Sequence, residues 1–520
     1  MIMDSSYIIY LLYNLYIPLL ISLLIGGFVA LAVSKVFNIG LAFPRNMSRA
    51  IILFLLIYLI VLIILYPGYP VPVSGLFPYF SGIDEIVLLI SLTILLSSFI
   101  VISSYPLDSI DTISVLAVSL LGVLGSALIS MYGITYVMDS LISIIPIIVS
   151  WALLSIASYA VIALFKDPLS LDASSRYAIV GVIASQFLLF GLSFFVLFNF
   201  VIYSRGVVYG FIGQDVYRLF LVLWVSMLLV ALGFKLGSAP FHFWLPDVYG
   251  RGSPYAVAAV AGFIKIGLVG LLLRFARYVF DLGSVSSYAK LDIDSSSVFF
   301  YIAALLAVLS MLIGSITPLT QVSIQRILAF SSIAHIGFVF VGVAVLSIAP
   351  IRSSAYFFAL AGVLLHVLAY SISKSSLFIL TGFMRGVYGS SNLSVITEIP
   401  GKPNALKTSI IIHLANLIGV PPLPGFWGKL FLFLSATYGD PRLYIGSVPW
   451  LALLGVLASV FSVFYYLNIM RAVSIEIREI KSSSSNMSQR PDLFYPYIAS
   501  FLVIVLGLLA PIMIIYLRLI

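Results

Sequence analysis

The chain has 520 residues, of which 62% are hydrophobic and only 8% are charged. So apolar a chain could not cover its own surface with polar groups, which excludes a water-soluble globular protein and predicts that lipid surrounds most of it. The chain has no cysteine, which excludes thiolate-ligated iron–sulfur clusters and disulfides. Its net charge of +8 is scattered over short segments, as expected of loop charges that set membrane topology rather than of a nucleic-acid-binding surface.

Fourteen apolar runs are long enough to cross the roughly 30 Å hydrocarbon core of a bilayer as helices. They predict an all-α polytopic membrane protein with short connections. The first run has no basic segment and no cleavage site before it, which predicts a retained span rather than a signal peptide. The predicted spans are 7–34, 49–66, 83–104, 112–130, 140–165, 176–203, 216–236, 254–280, 297–314, 322–348, 354–383, 406–438, 448–473 and 491–516.

The loop charges predict an orientation. An even number of spans places both termini on one side, and with the termini outside fourteen loop Lys and Arg residues lie inside and eight outside. By the positive-inside rule this excess predicts a multi-pass protein of a prokaryotic cell membrane with both termini outside. The polar stretch Glu476–Arg490 is then an inner surface loop. The predicted outer charges are Arg205, Arg218, Arg274, Arg277, Lys290, Arg352, Arg442 and Arg518.

Once the loop charges are assigned, four basic residues remain inside predicted spans, and all are lysines: Lys235, Lys265, Lys374 and Lys429. A charged lysine costs about 2.5–3.5 kcal/mol at a helix centre on insertion scales. One interpretation is that these side chains snorkel to the membrane interface. The other, which we favour, is that they line a hydrated interior path, because burial disfavours a charged amine and lets it accept and release a proton. An arginine, whose charge is permanent, could not serve in this way.

Two histidines, His335 and His366, fall in the same layer as these lysines. An imidazole can hand protons between neighbouring groups through water. A lone interior histidine can equally be a hydrogen-bonded packing residue, and both interpretations remain open. No motif accompanies His413, which we interpret as a packing residue.

The seventh and twelfth spans contain helix-breaking residues, with prolines in Lys235–Asp247 and in Gly419–Lys429. Proline removes a backbone donor, so the freed carbonyls need other partners. Interrupted helices at corresponding places in two halves are typical of inverted-repeat transporters, and these two breaks lie about 185 positions apart. The predicted division is 1–111 for the first three spans, 112–280 and 297–473 for two five-helix repeats, and 474–520 for the inner loop and C-terminal helix.

Three segments resemble signature sequences of one family, the antiporter-like subunits of respiratory complex I and the related Mrp cation/proton antiporters. The segments are Lys235–Tyr249, Gln321–Gly337 and Gly419–Lys429. Within the family the N-type branch is the most similar, and the L-type, M-type and D-type antiporter subunits follow. The features that favour the N-type branch are the Ala-His pair ending in His335 and the segments Leu171–Tyr177 and Ala184–Gly191.

The resemblance implies roles for individual residues. Lys235 is implied as the seventh-span lysine, Lys265 as the relay lysine of the eighth span, and Lys429 as a group near the proton exit. Tyr370 stands where the L-type branch has a second histidine after the one matched by His366. The implied proton relay is Lys235, Lys265, Lys429, His335 and His366, with Lys374, Tyr370 and His242 as further candidates.

One departure from the family's pattern concerns the fifth span. The family carries a glutamate there that pairs with the seventh-span lysine, but the matching stretch Pro146–Ser155, which includes Trp151 and Ala152, contains no acid. The nearest carboxylates, Asp139 and Asp167, lie at opposite ends of that span. The lysine therefore takes its partner from another helix or subunit, or the coupling of this unit is altered or lost.

The resemblance implies a proton-translocating membrane-arm subunit of a complex I-like NADH-quinone oxidoreductase, with other membrane-arm subunits as partners. We expect no redox centre, cofactor or metal on this chain, because it has no nucleotide or metal-binding motif. One alternative is an antiporter subunit of the Mrp or membrane-bound hydrogenase type. The shortage of interior carboxylates argues against sodium transport, since hard cations prefer oxygen ligands. The other alternative is a structural membrane-arm subunit that has lost transport.

Overall fold

The computed structural model describes residues 5–37, 42–65, 84–106, 110–131, 140–203, 207–288, 295–351, 353–398, 403–475 and 493–519. The predicted inner loop Glu476–Arg490 and the carboxylate of Asp139 lie outside these ranges. So do the predicted outer charges Arg205, Lys290 and Arg352.

The described residues are almost entirely helical. The first half contains α1 (Ser5–Val36), α2 (Ala42–Ile64), α3 (Glu85–Ser104), α4 (Ile110–Met131), α5 (Ser140–Ala163), α6 (Pro168–Tyr203), α7 (Val207–Leu236), α8 (Leu245–Arg251), α9 (Pro254–Ala259), a π-helical turn (Val260–Ile264) and α10 (Ile266–Tyr288). The second half contains α11 (Ser295–Ile316), a 3-10 turn (Thr317–Thr320), α12 (Ile324–Leu346), α13 (Ser354–Tyr388), α14 (Leu393–Glu398), α15 (Asn404–Ile418), α16 (Pro424–Ser435), a 3-10 turn (Pro441–Leu443), the short antiparallel strands β1 (Tyr444–Ile445) and β2 (Val448–Pro449), α17 (Trp450–Ser474) and α18 (Phe494–Leu519).

Thirteen helices within the described ranges are long and apolar enough to cross a membrane. They account for thirteen of the fourteen predicted spans and confirm the all-α polytopic fold. The remaining predicted span, 406–438, is divided into α15 and α16, each of which is shorter than a bilayer-crossing helix. The helical segments around residues 254–281 and 324–346 are the most deeply buried, whereas α1, α2 and α18 expose most of their apolar surface at the edge of the bundle.

The break predicted in the seventh span is present, and residues 237–244 separate α7 from α8 without helical structure. Gly237 has a φ of +78°, a left-handed conformation that ends the helix. The break leaves backbone N–H and C=O groups without intrahelical hydrogen bonds, and side chains supply partners for them. Ala239 N donates to Ser310 Oγ at 2.8 Å, and Trp244 Nε1 donates to the carbonyl of Phe234 at 2.9 Å.

The twelfth-span break separates α15 from α16 at residues 419–423. Gly419 adopts a φ of +93° at the C-terminus of α15. Asn416 bridges the two halves, because its Oδ1 accepts a hydrogen bond from Gly425 N at 2.8 Å. A Cβ on Gly425 would lie 1.9 Å from the carbonyl oxygen of Asn416, so only glycine permits this approach. Each break also contains a cis X-Pro peptide bond, Ala239–Pro240 and Pro421–Pro422.

The eighth span is not the single helix predicted over 254–280. A π-helical turn at Val260–Ile264 interrupts it, directly before Lys265. A π-turn displaces the regular hydrogen-bond ladder and frees carbonyls. The carbonyl of Gly262 accepts hydrogen bonds from Ser97 Oγ (3.1 Å) and Ser371 Oγ, and the carbonyl of Phe263 accepts one from Ser126 Oγ (2.7 Å).

Arg274 is not a loop charge, contrary to the prediction. It lies within α10, and its side chain is only 7% exposed. Its Nη2 is 2.7 Å from Asp84 Oδ1, and its Nε donates to the carbonyl of Ser130 at 3.0 Å. Asp84 also caps α3 by accepting a hydrogen bond from Val87 N. A guanidinium can lie this deep in a bundle because it is paired and hydrogen-bonded.

Candidate functional site

All four interior lysines are buried among helices. Lys235 and Lys265 are each 1% exposed, Lys374 is 0% exposed and Lys429 is 5% exposed. Snorkelling requires a charged head that reaches the surface, so this burial argues against it at all four positions. Each amine instead faces polar atoms or aromatic rings of neighbouring helices.

Lys235 lies in the last turn of α7 within a box of aromatic rings from α5 and α6. Its Nζ donates a hydrogen bond to Tyr159 Oη at 2.8 Å. The same nitrogen lies 4.4 Å from the ring centroid of Tyr159, 5.1 Å from that of Tyr177 and 6.0 Å from that of Trp151. Tyr177 is held by stacking on Trp244 at 4.5 Å. Among the described residues the fifth span thus supplies the lysine's partner, and that partner is a phenol rather than a carboxylate.

A glycine on α6 makes room for this partner. A Cβ on Gly181 would lie 1.5 Å from Tyr159 Oη, a separation that no side chain can tolerate. The small residue therefore allows the phenol to reach Lys235. Neither Tyr159 nor Gly181 belongs to a motif, so sequence reasoning missed both residues.

Lys265 follows the π-helical turn and lies between two tyrosine rings. Its Nζ is 5.4 Å from the ring centroids of both Tyr249 and Tyr370. Within the described ranges, Lys265 Nζ and the Tyr249 hydroxyl lack a hydrogen-bond partner, and the Tyr370 hydroxyl lies beside Ser332. Buried polar atoms are nearly always hydrogen-bonded, to water where protein groups do not reach them. We therefore expect ordered water among these three groups.

Tyr370 and Lys374 extend the site along α13. The ring of Tyr370 lies 5.9 Å from Lys374 Nζ and 5.4 Å from the ring of His335. Lys374 donates hydrogen bonds to the carbonyl of Leu328 at 2.6 Å and to Ser331 Oγ. Two of the three further candidates from the sequence, Tyr370 and Lys374, thus lie beside the predicted relay residues.

The two predicted histidines contact each other. His335 Nδ1 lies 3.1 Å from His366 Nε2, so the pair shares one hydrogen bond whose direction depends on the tautomers. On its other side, His335 Nε2 lies 3.1 Å from Tyr466 Oη. Tyr466 of α17 also lies beside Ser331, which binds Lys374. Sequence reasoning missed Tyr466, which links the lysine to the histidine pair.

Lys429, in the first turns of α16, ends this series. Its Nζ donates to the carbonyl of Ile418, the last residue of α15, at 2.9 Å and to Ser459 Oγ at 3.0 Å. The ring of Phe338 lies 5.1 Å from Nζ and 5.6 Å from the ring of His366. We call the series the central row, and its members are Lys265, Tyr370, Lys374, Tyr466, His335, His366 and Lys429.

The other two histidines lie apart from the central row. His242 is partly exposed in the seventh-span break, and its Nδ1 has no hydrogen-bond partner in the described part of the chain. His413 is fully buried in α15, where it contacts Ser373 and Ser500. Within the described ranges, no group of three or more His, Cys, Asp or Glu side chains could hold a metal ion.

The sequence matches known proteins over most of its length. Residues 142–462 match the family described as NADH:quinone oxidoreductase/Mrp antiporter, TM. NADH-quinone oxidoreductase subunit N of Chlorobium chlorochromatii (strain CaD3) is 30% identical over 358 residues, which cover 67% of this chain and 65% of that protein. The protein of the same name from Granulibacter bethesdensis is 31% identical over 342 residues, 62% of each chain. The chain thus spans slightly less than two thirds of the length of these relatives.

Solved structures show the same fold. A chain of respiratory complex I from Thermus thermophilus with bound aureothin superposes with a TM-score of 0.69 at 23% identity, covering 95% of this chain and 98% of that one. A chain of the membrane-bound sulfane sulfur reductase, an archaeal respiratory membrane complex, gives 0.71 at 20% identity, with 96% of each chain covered. A chain of the Mrp complex from Dietzia sp. DQ12-45-1b gives 0.73 at 17% identity, covering 97% and 96%.

The interrupted spans, together with a row of buried lysines and histidines between them, define an antiporter-like membrane subunit. The family match covers more than half of the sequence. The chain belongs to the NADH:quinone oxidoreductase/Mrp antiporter family, which confirms the resemblance found in its motifs.

Proposed function

We propose that this chain is a proton-translocating membrane-arm subunit of a complex I-like quinone oxidoreductase, and that protons move along the central row. The observation that carries the proposal is the row itself, in which Lys265, between the π-helical turn and α10, and titratable side chains of α12, α13, α16 and α17 lie buried beside one another. The names of the relatives, NADH-quinone oxidoreductase subunit N, support the same function. The redox reaction then belongs to other subunits, and this chain contributes proton transfer.

The contacts of the row supply a path for the proton. Lys265 exchanges a proton with Lys374 through Tyr370 and the water expected around its hydroxyl. From Lys374 the hydroxyls of Ser331 and Tyr466 lead to the histidine pair. Each group accepts a proton on one side and releases it on the other, as proton relays do.

The step from His366 to Lys429 is the natural control point. The ring of Phe338 lies against both groups and offers no atom that can carry a proton. Transfer at this point therefore needs water or a movement of the ring. Electron transfer elsewhere in the assembly would drive such a change, so that the lysines load and release their protons in turn.

The two breaks suggest how the chain is organised. Each interrupted span carries a buried lysine, Lys235 at the end of α7 and Lys429 in α16. This arrangement supports our proposal that 112–280 and 297–473 form two inverted five-helix repeats, flanked by 1–111 and 474–520. We also propose that the chain lies in the cell membrane of a prokaryote with both termini outside, as the loop charges predict.

Replacing Lys265 and Lys429 tests the proposed function. In the purified complex reconstituted into vesicles, Lys265→Ala and Lys429→Ala should each lower proton pumping by about a hundred-fold or more, the usual scale of a lost proton-transfer group. A pH-sensitive dye records pumping, and the yield of intact complex records assembly. Lys35→Ala is the matched control, because this lysine is exposed at the end of α1 and binds only Ser114 Oγ, at 2.6 Å.

The same vesicles separate the alternatives. Pumping at the wild-type rate by both variants would leave only a structural role in the membrane arm. A cation/proton antiporter would instead move protons when a sodium gradient is applied without an electron donor, and the two lysine variants would abolish that exchange. Proton movement that requires the donor and continues in sodium-free buffer supports the proposed function.

A further inference from the structure

A second buried polar chain lies outside the central row and joins α13, α15 and α18. His413 Nδ1 lies 3.3 Å from Ser373 Oγ, and His413 Nε2 lies 3.1 Å from Ser500 Oγ. Ser500 Oγ lies 2.7 Å from Ser409 Oγ. All four residues are at most 5% exposed. We call this series, Ser409, Ser500, His413 and Ser373, the His413 branch.

One end of the branch lies near a membrane surface. Ser409 is five residues after the start of α15, and Ser500 is six residues after the start of α18. At the helical rise of 1.5 Å per residue, these serines lie roughly 8–9 Å below the two helix starts, and His413 lies roughly 14 Å below the start of α15. Because Ser409 contacts Ser500, both helices begin on the same side of the bundle.

The other end of the branch reaches the twelfth-span break. Ser373 Oγ accepts a hydrogen bond from Asn416 Nδ2 at 2.8 Å. Asn416 is the residue that bridges the break to Gly425 N. Two residues after Asn416, the carbonyl of Ile418 accepts the hydrogen bond from Lys429. The branch therefore leads from one side of the bundle to the residues that hold the last lysine of the central row.

The placement of the imidazole is what distinguishes this branch from ordinary helix packing. Serine hydroxyls alone can join neighbouring spans by hydrogen bonds. The His413 ring, however, has Nε2 facing Ser500 and, at 3.4 Å, the carbonyl of Pro496, and it has Nδ1 facing Ser373. This is the arrangement in which an imidazole takes up a proton at one nitrogen and releases one from the other.

We propose that the His413 branch conducts protons between the side on which α15 and α18 begin and the twelfth-span break. The transfer needs no co-reactant besides water. The O–H bond of Ser500 breaks as an N–H bond forms at Nε2, and the N–H bond at Nδ1 breaks as an O–H bond forms at Ser373. Ser409 restores the proton of Ser500 and in turn takes one from water on the side where α15 and α18 begin. Ser373 passes its proton to water at the break, next to Lys429, and the ring returns by exchanging tautomers.

The branch rests on the proposed function, and His413→Gln tests it. Glutamine can replace both hydrogen bonds of the ring but cannot carry a proton at neutral pH. In the reconstituted complex, His413→Gln should assemble normally and lower the ratio of protons moved to electrons transferred by at least about five-fold, below the hundred-fold scale of a lost relay group because water can partly replace it. If the histidine only holds helices together, this variant would pump at the wild-type ratio, and that result would overturn the proposal.

A smaller change provides a second arm that does not depend on the glutamine fitting. Ser500→Ala removes one hydroxyl of the branch without adding bulk, and it should lower the same ratio. Its matched control is Ser435→Ala on α16, since Ser435 is also buried but, among the described residues, its hydroxyl bonds only to the carbonyl of Leu432 in its own helix. Full pumping by Ser500→Ala would also overturn the branch. If the His413 and Ser500 variants pump fully while Lys429→Ala does not, the branch alone is rejected. If Lys265→Ala and Lys429→Ala both pump fully, the proposed function itself is rejected.

Discussion

At the scale of single residues, the surroundings of Lys235 show how a buried amine is held without a carboxylate. A hydrogen bond to a charged group contributes about 1.5–3 kcal/mol. A desolvated cation over an aromatic face adds on the order of 2 kcal/mol. Tyr159 supplies both kinds of contact, and Trp151 and Tyr177 supply further rings. Together these contacts offset part of the desolvation cost of the amine, so the missing glutamate does not leave Lys235 without a partner.

Tyr159→Phe separates the hydroxyl from the ring. The variant keeps the aromatic face but removes the hydrogen bond to Lys235, and we expect proton pumping to fall roughly ten-fold, as the loss of about 1.5 kcal/mol implies. Gly181→Ala should have the same effect, because its Cβ would displace Tyr159 Oη. Gly26→Ala is the control, since a Cβ there meets nothing within 4 Å. Wild-type pumping in assembled complexes of both test variants would show that the phenol has no role.

The residues of the site differ in how visible they are in the sequence. The four lysines stand out because a charge within an apolar span has a cost that demands a reason. The partners Tyr159 and Tyr466 do not stand out, because the chain has 31 tyrosines and an aromatic residue inside a span costs little. Tyr159 bonds to Lys235, which is 76 positions away in sequence, and Tyr466 contacts His335, which is 131 positions away. Only the packed structure identifies them.

At the scale of helices, the two kinds of interruption arise differently. The breaks of the seventh and twelfth spans are predictable, because proline and glycine cannot continue a helix without loss of backbone hydrogen bonds. The π-helical turn before Lys265 contains no proline, so the sequence predicts an unbroken helix there. Serines on other helices permit this turn, because their hydroxyls form hydrogen bonds with the backbone groups that the turn frees. Ser126 contributes twice, because its Oγ donates to Phe263 O and accepts from Gly267 N at 2.9 Å.

Ser126→Ala tests whether these serines stabilise the turn. The change leaves the buried N–H of Gly267 without the Ser126 acceptor and removes one of the donors to the carbonyl of Phe263, so we expect the free energy of unfolding to fall by about 1–3 kcal/mol. Thermal unfolding of the purified protein in detergent measures the difference. Ser130→Ala on the same helix is the control, since Ser130 Oγ bonds only to the carbonyl of Ala127 in its own helix. Equal melting temperatures for the two variants would contradict the expectation.

At the scale of the whole molecule, the number of spans and their order are predictable from hydropathy, because the bilayer sets a minimum length for each helix. The contacts that fix the helices against one another are not predictable from hydropathy. Asp84 and Arg274 lie 190 positions apart, yet they form a buried ion pair that joins α3 to α10 and, through the carbonyl of Ser130, to α4. From the sequence Arg274 looks like one more loop charge. Its place in the bundle follows from a partner that no local pattern indicates.

This ion pair should stabilise the bundle only while both partners are present. Arg274→Leu leaves Asp84 buried and unpaired, which should lower the free energy of unfolding by about 3–5 kcal/mol. Asp84→Asn keeps the cap of α3 but leaves the guanidinium unpaired, with a loss of similar size. The double variant should lose less than the sum of the two single changes, because neither charge then remains without its partner. Thermal unfolding in detergent measures all three.

Arg251→Leu is the control, since its pair with Asp172 has the same 2.7 Å separation but is about 40% exposed, so its loss should cost less than about 1 kcal/mol. Strictly additive losses would mean that the two groups stabilise the bundle independently, and the pair would then not be what holds α3 and α10 together.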